Sequence, residues 1–285
     1  MFGIAVKTDV FALGKTCLYT SHLRCVSMYR CPVANGVTEI AQCIKKAERG
    51  QIMTERRDFE LYVFDWDGTI MDTTYLIARG MQEAARALGL QVPELDLARS
   101  AIGLGLADTM KLVCPDCPRQ RWDEFGIAYR QWYICREQEV RLFPNLHALL
   151  VGMHANGKRL AIATGKSRGG LNRVFDHTGV RGLFEATRTA DESFSKPNPA
   201  MLFELSDETG VSCADMVMIG DSIHDLQMAA NAGAAAVGVT YGASPRKDLE
   251  SLPNIGLVDN VLELSETLGL TQCLTDGLRL TGESV

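Results

Sequence analysis

Leu61-Tyr62-Val63-Phe64-Asp65-Trp66-Asp67-Gly68-Thr69 joins four apolar, strand-forming residues to two carboxylates one residue apart, followed by a glycine and a hydroxyl. A continuous apolar run of this kind reads as a strand buried on both faces. Ending it in two acids is unfavourable unless a cation lies close. Each anion raises the pKa of the other, and partial desolvation adds to the penalty. A divalent cation removes the difficulty and accounts for both acids. A strand followed by a simple Asp-Gly turn is the competing reading of the same residues, so the rest of the chain has to decide.

Downstream, residues 72 to 141 read as helical with no convincing strand among them. Asp72, Thr73 and Thr74 offer N-cap side chains. Leu76, Ile77, Met81, Ala84, Ala85 and Leu88 then recur at helical spacing, and Gly89 closes the helix. Further helices are expected over 95–101, 107–113 and 118–137. From Pro144 the pattern changes to alternation. A helix over 145–155 precedes the apolar run Arg159-Leu160-Ala161-Ile162-Ala163-Thr164. A helix over 168–177, a weaker strand over 185–189 and a helix over 199–209 follow. Met216-Val217-Met218-Ile219, a helix over 223–232 and the strand 235–239 complete the series. Repeated βα units imply an α/β fold with a doubly wound parallel sheet and right-handed crossovers, interrupted by one helical insert.

Ligands of such sheets bind beyond the carboxyl ends of the strands, so reactive residues are expected at strand tips. Asp65 and Asp67 end the first strand, Thr164-Gly165-Lys166 the second, and Gly220-Asp221-Ser222 a later one with Asp225 just beyond. Lys196 stands in Ser195-Lys196-Pro197-Asn198-Pro199, a loop whose prolines help to start a helix. Each residue alone has an ordinary explanation: Thr164 as an N-cap, Lys196 as a solvated lysine, Asp221 as a turn residue. Their joint occurrence at strand tips does not.

These four stations resemble the motifs of the haloacid dehalogenase superfamily of phosphotransferases, in order, spacing and strand context: Asp65-Trp66-Asp67-Gly68-Thr69, Thr164, Lys196, and Gly220-Asp221-Ser222-Ile223-His224-Asp225. The helical insert and its Ile102-Gly103-Leu104-Gly105-Leu106 segment resemble the C1 cap of the phosphoglycolate phosphatase-like subgroup. The resemblance implies a Rossmann-like core over 58–72 and 142–273 and a helical cap over 73–141, with a C-terminal tail over 274–285; the N-terminal extension over 1–57 departs from the family, whose members place the first motif near the start. The resemblance also implies Asp65 as nucleophile, Asp67 as general acid and then base, and Thr164 and the Gly165 N–H as donors to the phosphoryl oxygens. Lys196 stabilises charge on both Asp65 and phosphate. Mg²⁺ is held by Asp65, the Asp67 backbone carbonyl and Asp221, with Asp225 behind them. Asp67 speaks against the dehalogenase branch, which lacks this second acid. Lys166 is read as a helix-start residue, Trp66 as packing turned away from the acids, and His224 as a surface helix residue. Arg99 and the Gly103–Gly105 turn are the cap residues expected to line the pocket.

The implied activity is Mg²⁺-dependent hydrolysis of a small phosphate monoester through an aspartyl-phosphate, with phosphoglycolate as the default substrate. Two alternatives stand beside it: phosphoryl transfer of the β-phosphoglucomutase kind, and a non-catalytic phosphate-binding regulatory module. The expected partner is a small phosphorylated metabolite. A net charge of −6 supplies no basic stripe for nucleic acid, and no apolar run reaches the roughly 18–20 residues of a membrane span. Nine scattered cysteines are read as reduced thiols of a cytoplasmic protein. Cys114-Pro115-Asp116-Cys117 lacks the second pair that a zinc site requires and is read as two incidental surface thiols. Cys17, Cys25, Cys31 and Cys43 crowd a start with no sustained hydrophobic period. Met53, just ahead of the first strand, is the expected functional start; the intact mass of protein made from the native locus tests this.

Overall fold

The computed structural model describes residues 58–284. The expectations for the N-terminal extension and for Met53 as a start lie outside these residues.

Leu61, Tyr62, Val63 and Phe64 have no exposed surface, as a strand with both faces covered requires. They form β1 (Leu61–Phe64), which pairs in parallel with β2 (Arg159–Thr164) on one side and β4 (Met216–Gly220) on the other. With β3 (Ala186–Thr189), β5 (Ala235–Val239) and β6 (Gly256–Val258) they build one parallel sheet in the order β3-β2-β1-β4-β5-β6. The order turns back between β1 and β4, which makes their carboxyl ends the crevice where a doubly wound sheet binds ligands.

Period-two alternation divides the strands between two cores. Tyr62, Phe64, Leu160, Ile162, Val217 and Ile219 face one way. There they meet α5 (Leu146–Ala155) and α6 (Arg168–Thr178), with α10 (Val261–Thr267) and α11 (Thr271–Thr281) on the same side. Leu61, Val63, Ala161, Ala163, Met216 and Met218 face the other way, onto α7 (Ala200–Thr209) and α8 (Ile223–Ala232). A short helix, α9 (Arg246–Leu249), follows β5.

Between β1 and α5 the chain forms α1 (Thr74–Ala87), α2 (Leu95–Ser100), α3 (Leu106–Val113) and α4 (Trp122–Ile134), with single 3-10 turns at Arg119–Arg121 and Glu137–Glu139. They enclose an apolar centre of their own, including Ile77, Met81, Ala85, Ile102, Met110 and Phe125. Cys114 and Cys117 belong to that centre, which corrects their reading as surface thiols. The Cys117 N–H donates to the Cys114 carbonyl at 2.9 Å, and this turn directs both thiols inward. Burial pushes the Cys114 thiol up to about 11, so that position does not suit thiolate chemistry.

Of the residues expected as a tail, 274–281 belong to α11, which packs on α5. A Cβ at Gly277 would lie 1.8 Å from the Ala148 carbonyl oxygen, and one at Gly152 would lie 1.8 Å from that of Cys273. Both glycines therefore let two helix backbones touch. Gly277→Ala forces them apart and is expected to lower stability by about 1–3 kcal/mol, read as a fall in Tm by calorimetry, with activity per folded molecule unchanged.

Candidate active site

Asp65 directly follows β1, its N–H still donating to the Ile219 carbonyl of β4 at 2.9 Å, and its side chain is 1% exposed. Its Oδ1 accepts from the Trp66 N–H at 2.7 Å and from the Lys196 ammonium at 2.9 Å, while Oδ2 has no hydrogen-bond partner among the described residues. Lys196 reaches in from the loop ahead of α7, fully buried, and donates to Asp225 Oδ1 at 2.6 Å as well. Asp225 sits at the third position of α8 in a capping box: its Oδ2 accepts from the Ser222 N–H and hydroxyl at 3.0 and 2.6 Å. Asp221 follows the tip of β4. It accepts from the Ala243 N–H at 2.6 Å and the Thr69 hydroxyl at 3.3 Å, and among the described residues it meets no ammonium or guanidinium. Gly68, with φ +81°, gives it room: a Cβ there would stand 2.1 Å from Asp221 Oδ2.

The three carboxylates of Asp65, Asp221 and Asp225 each offer an oxygen within 4.8 Å of the others. One ammonium faces three buried anions, so the cluster is short of positive charge. Burial raises the carboxyl of Asp65, Asp225 adds to that, and Lys196 only partly relieves it. Asp221 stands well above the usual carboxylate range through burial and through Asp65 and Asp225. Lys196 is correspondingly raised, because the two acids outweigh the effect of burying it. An unpartnered Asp65 Oδ2 beside hard oxygen donors in a charge-deficient site fits a divalent cation such as Mg²⁺.

Asp67 stands apart from that cluster. Its Oδ1 accepts from the Thr73 hydroxyl at 2.9 Å and from the Lys166 ammonium at 3.0 Å. Two readings change here. Thr73 makes no side-chain cap bond to α1; its hydroxyl serves Asp67 instead. Lys166 is not a helix-start residue, since α6 begins at Arg168 under a Ser167 cap, and its side chain is buried against Asp67 and the Tyr133 ring. The strand-tip rule that singled out Thr164 reaches Lys166 two residues later; Thr73 carried no sequence signal beyond its N-cap chemistry. Thr164 is fully buried at the end of β2, and its hydroxyl accepts from the Lys166 N–H at 3.2 Å. Trp66 packs on the opposite side, edge-on to Phe175 with 5.3 Å between ring centres.

The helical insert closes over this end of the sheet. Arg99 donates to the Gly242 carbonyl at 3.0 Å, and His224 Nε2 lies 3.3 Å from the Ser100 carbonyl oxygen. A Cβ at Gly165 would lie 2.5 Å from the Gly103 carbonyl oxygen. The turn after α2 therefore rests directly on the tip of β2. Among the described residues no helix is long and apolar enough to cross a membrane.

Residues 62–239 match the haloacid dehalogenase-like hydrolase family. A phosphoglycolate phosphatase of Vibrio parahaemolyticus is 26% identical over 228 residues, covering 76% of this chain and 99% of its own length. A protein of Dickeya dadantii named probable phosphatase IndB is 30% identical over 221 residues, covering 75% and 94%. Among solved structures, a predicted phosphoglycolate phosphatase from Haemophilus somnus superposes with a TM-score of 0.63 at 25% identity, over 74% of this chain and 98% of that one. The chain belongs to the haloacid dehalogenase-like hydrolases, with that family's α/β core.

Proposed function

We propose that this hydrolase is a Mg²⁺-dependent phosphatase of small phosphate monoesters, of the phosphoglycolate phosphatase kind. The observation that carries the reading is the cluster of buried Asp65, Asp221 and Asp225, with the Lys196 ammonium on Asp65 and Asp225 and with Asp65 Oδ2 left free. A carboxylate needs no base to act as a nucleophile at neutral pH. Asp65 forms the new bond to phosphorus as the ester P–O bond breaks, giving an aspartyl-phosphate. Lys196 offsets the charge that gathers on the phosphoryl oxygens and on Asp65. Thr164 and the Gly165 N–H hydrogen-bond the same oxygens. Asp67 gives its proton to the leaving alkoxide, then takes one from the water that releases inorganic phosphate and restores Asp65. Thr73 and Lys166, both on Asp67 Oδ1, hold that carboxyl in one orientation. The carboxylates of Asp65 and Asp221 and the Asp67 backbone carbonyl, with Asp225 behind, would hold Mg²⁺, which would supply positive charge against the repulsion between the phosphate dianion and the acids. The helices over 74–134 act as a cap that opens for substrate and closes to exclude water.

Phosphate release from an aryl phosphate tests the reading. Activity is expected with Mg²⁺, to vanish with EDTA and to return when Mg²⁺ is restored. Metal-independent release would overturn the roles given to all three acids.

A further inference from the structure

A single peptide group joins the Gly242 carbonyl to the Ala243 N–H. The carbonyl accepts from Arg99 Nη2, on α2 of the cap, at 3.0 Å, and the N–H donates to Asp221 Oδ2 at 2.6 Å. One peptide therefore stands between a cap guanidinium and a buried carboxylate of the acidic cluster. In a planar trans peptide the carbonyl and the N–H point in opposite directions. The two bonds line up as a chain, and in such a chain each hydrogen bond polarises and strengthens the next.

The segment that carries this peptide follows β5 and wraps around Asp221. The Ser244 N–H donates to the Asp221 carbonyl at 3.2 Å, and the Ile223 N–H to the Ser244 hydroxyl at 3.3 Å. The Tyr241 hydroxyl donates to the carbonyl of Thr69, whose own hydroxyl is the other donor to the Asp221 carboxylate. A Cβ at Gly242 would lie 2.2 Å from Asp221 Oδ2, so no side chain fits between this backbone and the acid.

Arg99 is half-buried, and its Nε is buried with no hydrogen-bond partner among the described residues. Withdrawing part of a guanidinium from water for a carbonyl alone is unfavourable. Elsewhere along the seam between cap and core the contact is an ordinary ion pair, in which Glu137 accepts from Arg173 of α6 at 3.0 Å. Arg99 instead places its charge one peptide away from Asp221, the acid of the cluster that meets no cation directly among the described residues.

We propose that Arg99 is a positioning residue of the metal site, acting on Asp221 through the Gly242–Ala243 peptide. It fixes the plane of that peptide and strengthens its N–H as a donor. Asp221 Oδ2 is thereby held in place, and the anion that a divalent cation requires is favoured. The inference rests on the phosphatase reading for Asp221 as a Mg²⁺ ligand. Because Arg99 belongs to the cap, Mg²⁺ is held most tightly with the cap down, and by linkage its binding favours the closed cap.

Calorimetric titration of Mg²⁺ into the full chain, without substrate, tests this. Arg99→Met is expected to raise the Mg²⁺ Kd by about 10-fold, and Arg99→Lys, which keeps a charged donor, to recover most of the affinity. Arg99→Gln, a neutral donor to the same carbonyl, falls between them and serves if Arg99→Met does not fold. Arg173→Met releases a cap–core pair that leaves the peptide untouched, so its Kd stays within about twofold of the parent's. An unchanged Kd in Arg99→Met overturns the inference, and a raised KM for aryl phosphate beside it would place Arg99 on the substrate instead. An equal rise in Arg173→Met also overturns it, because docking of the cap would then be the whole effect. If the unaltered protein binds no Mg²⁺, the phosphatase reading and this inference fall together; equal Mg²⁺ affinities of the parent and Arg99→Met sink this inference alone.

Discussion

Asp65→Asn is expected to lower phosphate release by at least about 10⁴-fold while leaving Tm within about 3 °C of the parent. The two outcomes follow from opposite properties of one carboxylate. An amide oxygen in place of Oδ1 still accepts from the Trp66 N–H and from Lys196, so the local geometry survives. The anion that disappears is one whose charge burial disfavours, and Lys196 keeps its bond to Asp225. Stability therefore has little to lose. Chemistry loses its nucleophile, because an amide is neither anionic nor able to form an acyl phosphate that water can cleave. Acid-quenched protein incubated with labelled substrate checks the same step: the parent retains label as an acyl phosphate and the variant retains none. A variant that hydrolyses at a rate near the parent's would remove Asp65 from the nucleophile's role.

What could be read in the sequence was whatever the sheet imposes locally. A strand covered on both faces must be apolar throughout, so β1, β2, β4 and β5 stand out as runs, and the residue after each run falls at the crevice. Asp65, Thr164 and Asp221 were visible for that reason. β6 has three residues, too few to set a period, and went unread. The docking of α11 on α5 was equally hidden, because it depends on the absence of side chains at Gly152 and Gly277 and not on an apolar stripe. At the site, Thr73 follows an acid ahead of a helix and so carries the chemistry of an N-cap; only the fold shows its hydroxyl turned to Asp67. Tyr133 and Glu137 lie far from every strand tip and reach the seam through the way the helical insert folds back. Local rules name the residues on the sheet; contributions from the insert are set by tertiary packing, which one sequence does not encode in any short pattern.

Lys196→Ala is expected to damage both stability and rate, unlike Asp65→Asn, because this side chain holds the cluster's charge balance. Its ammonium is the cation bonded to Asp65 and Asp225, at 2.9 and 2.6 Å, with no exposed surface to admit water in its place. Removing one member of a buried charge set leaves the others uncompensated, at about 3–5 kcal/mol, which in a domain of this size corresponds to a fall in Tm of roughly 10 °C. The rate is expected to fall by on the order of 10³-fold or more, since charge developing on the phosphoryl group loses its nearest fixed cation. Lys196→Arg does not rescue it: the planar guanidinium is larger and needs space that a fully buried site lacks. Added Mg²⁺ separates the two effects. A divalent cation among the acids offsets part of the excess negative charge, so Tm recovers in part, while the rate stays low because the charge is not restored where Nζ stood. Scanning calorimetry and phosphate release, each with and without Mg²⁺, measure both. Recovery of the rate together with Tm would mean that Lys196 serves only to balance charge and takes no part in the chemistry.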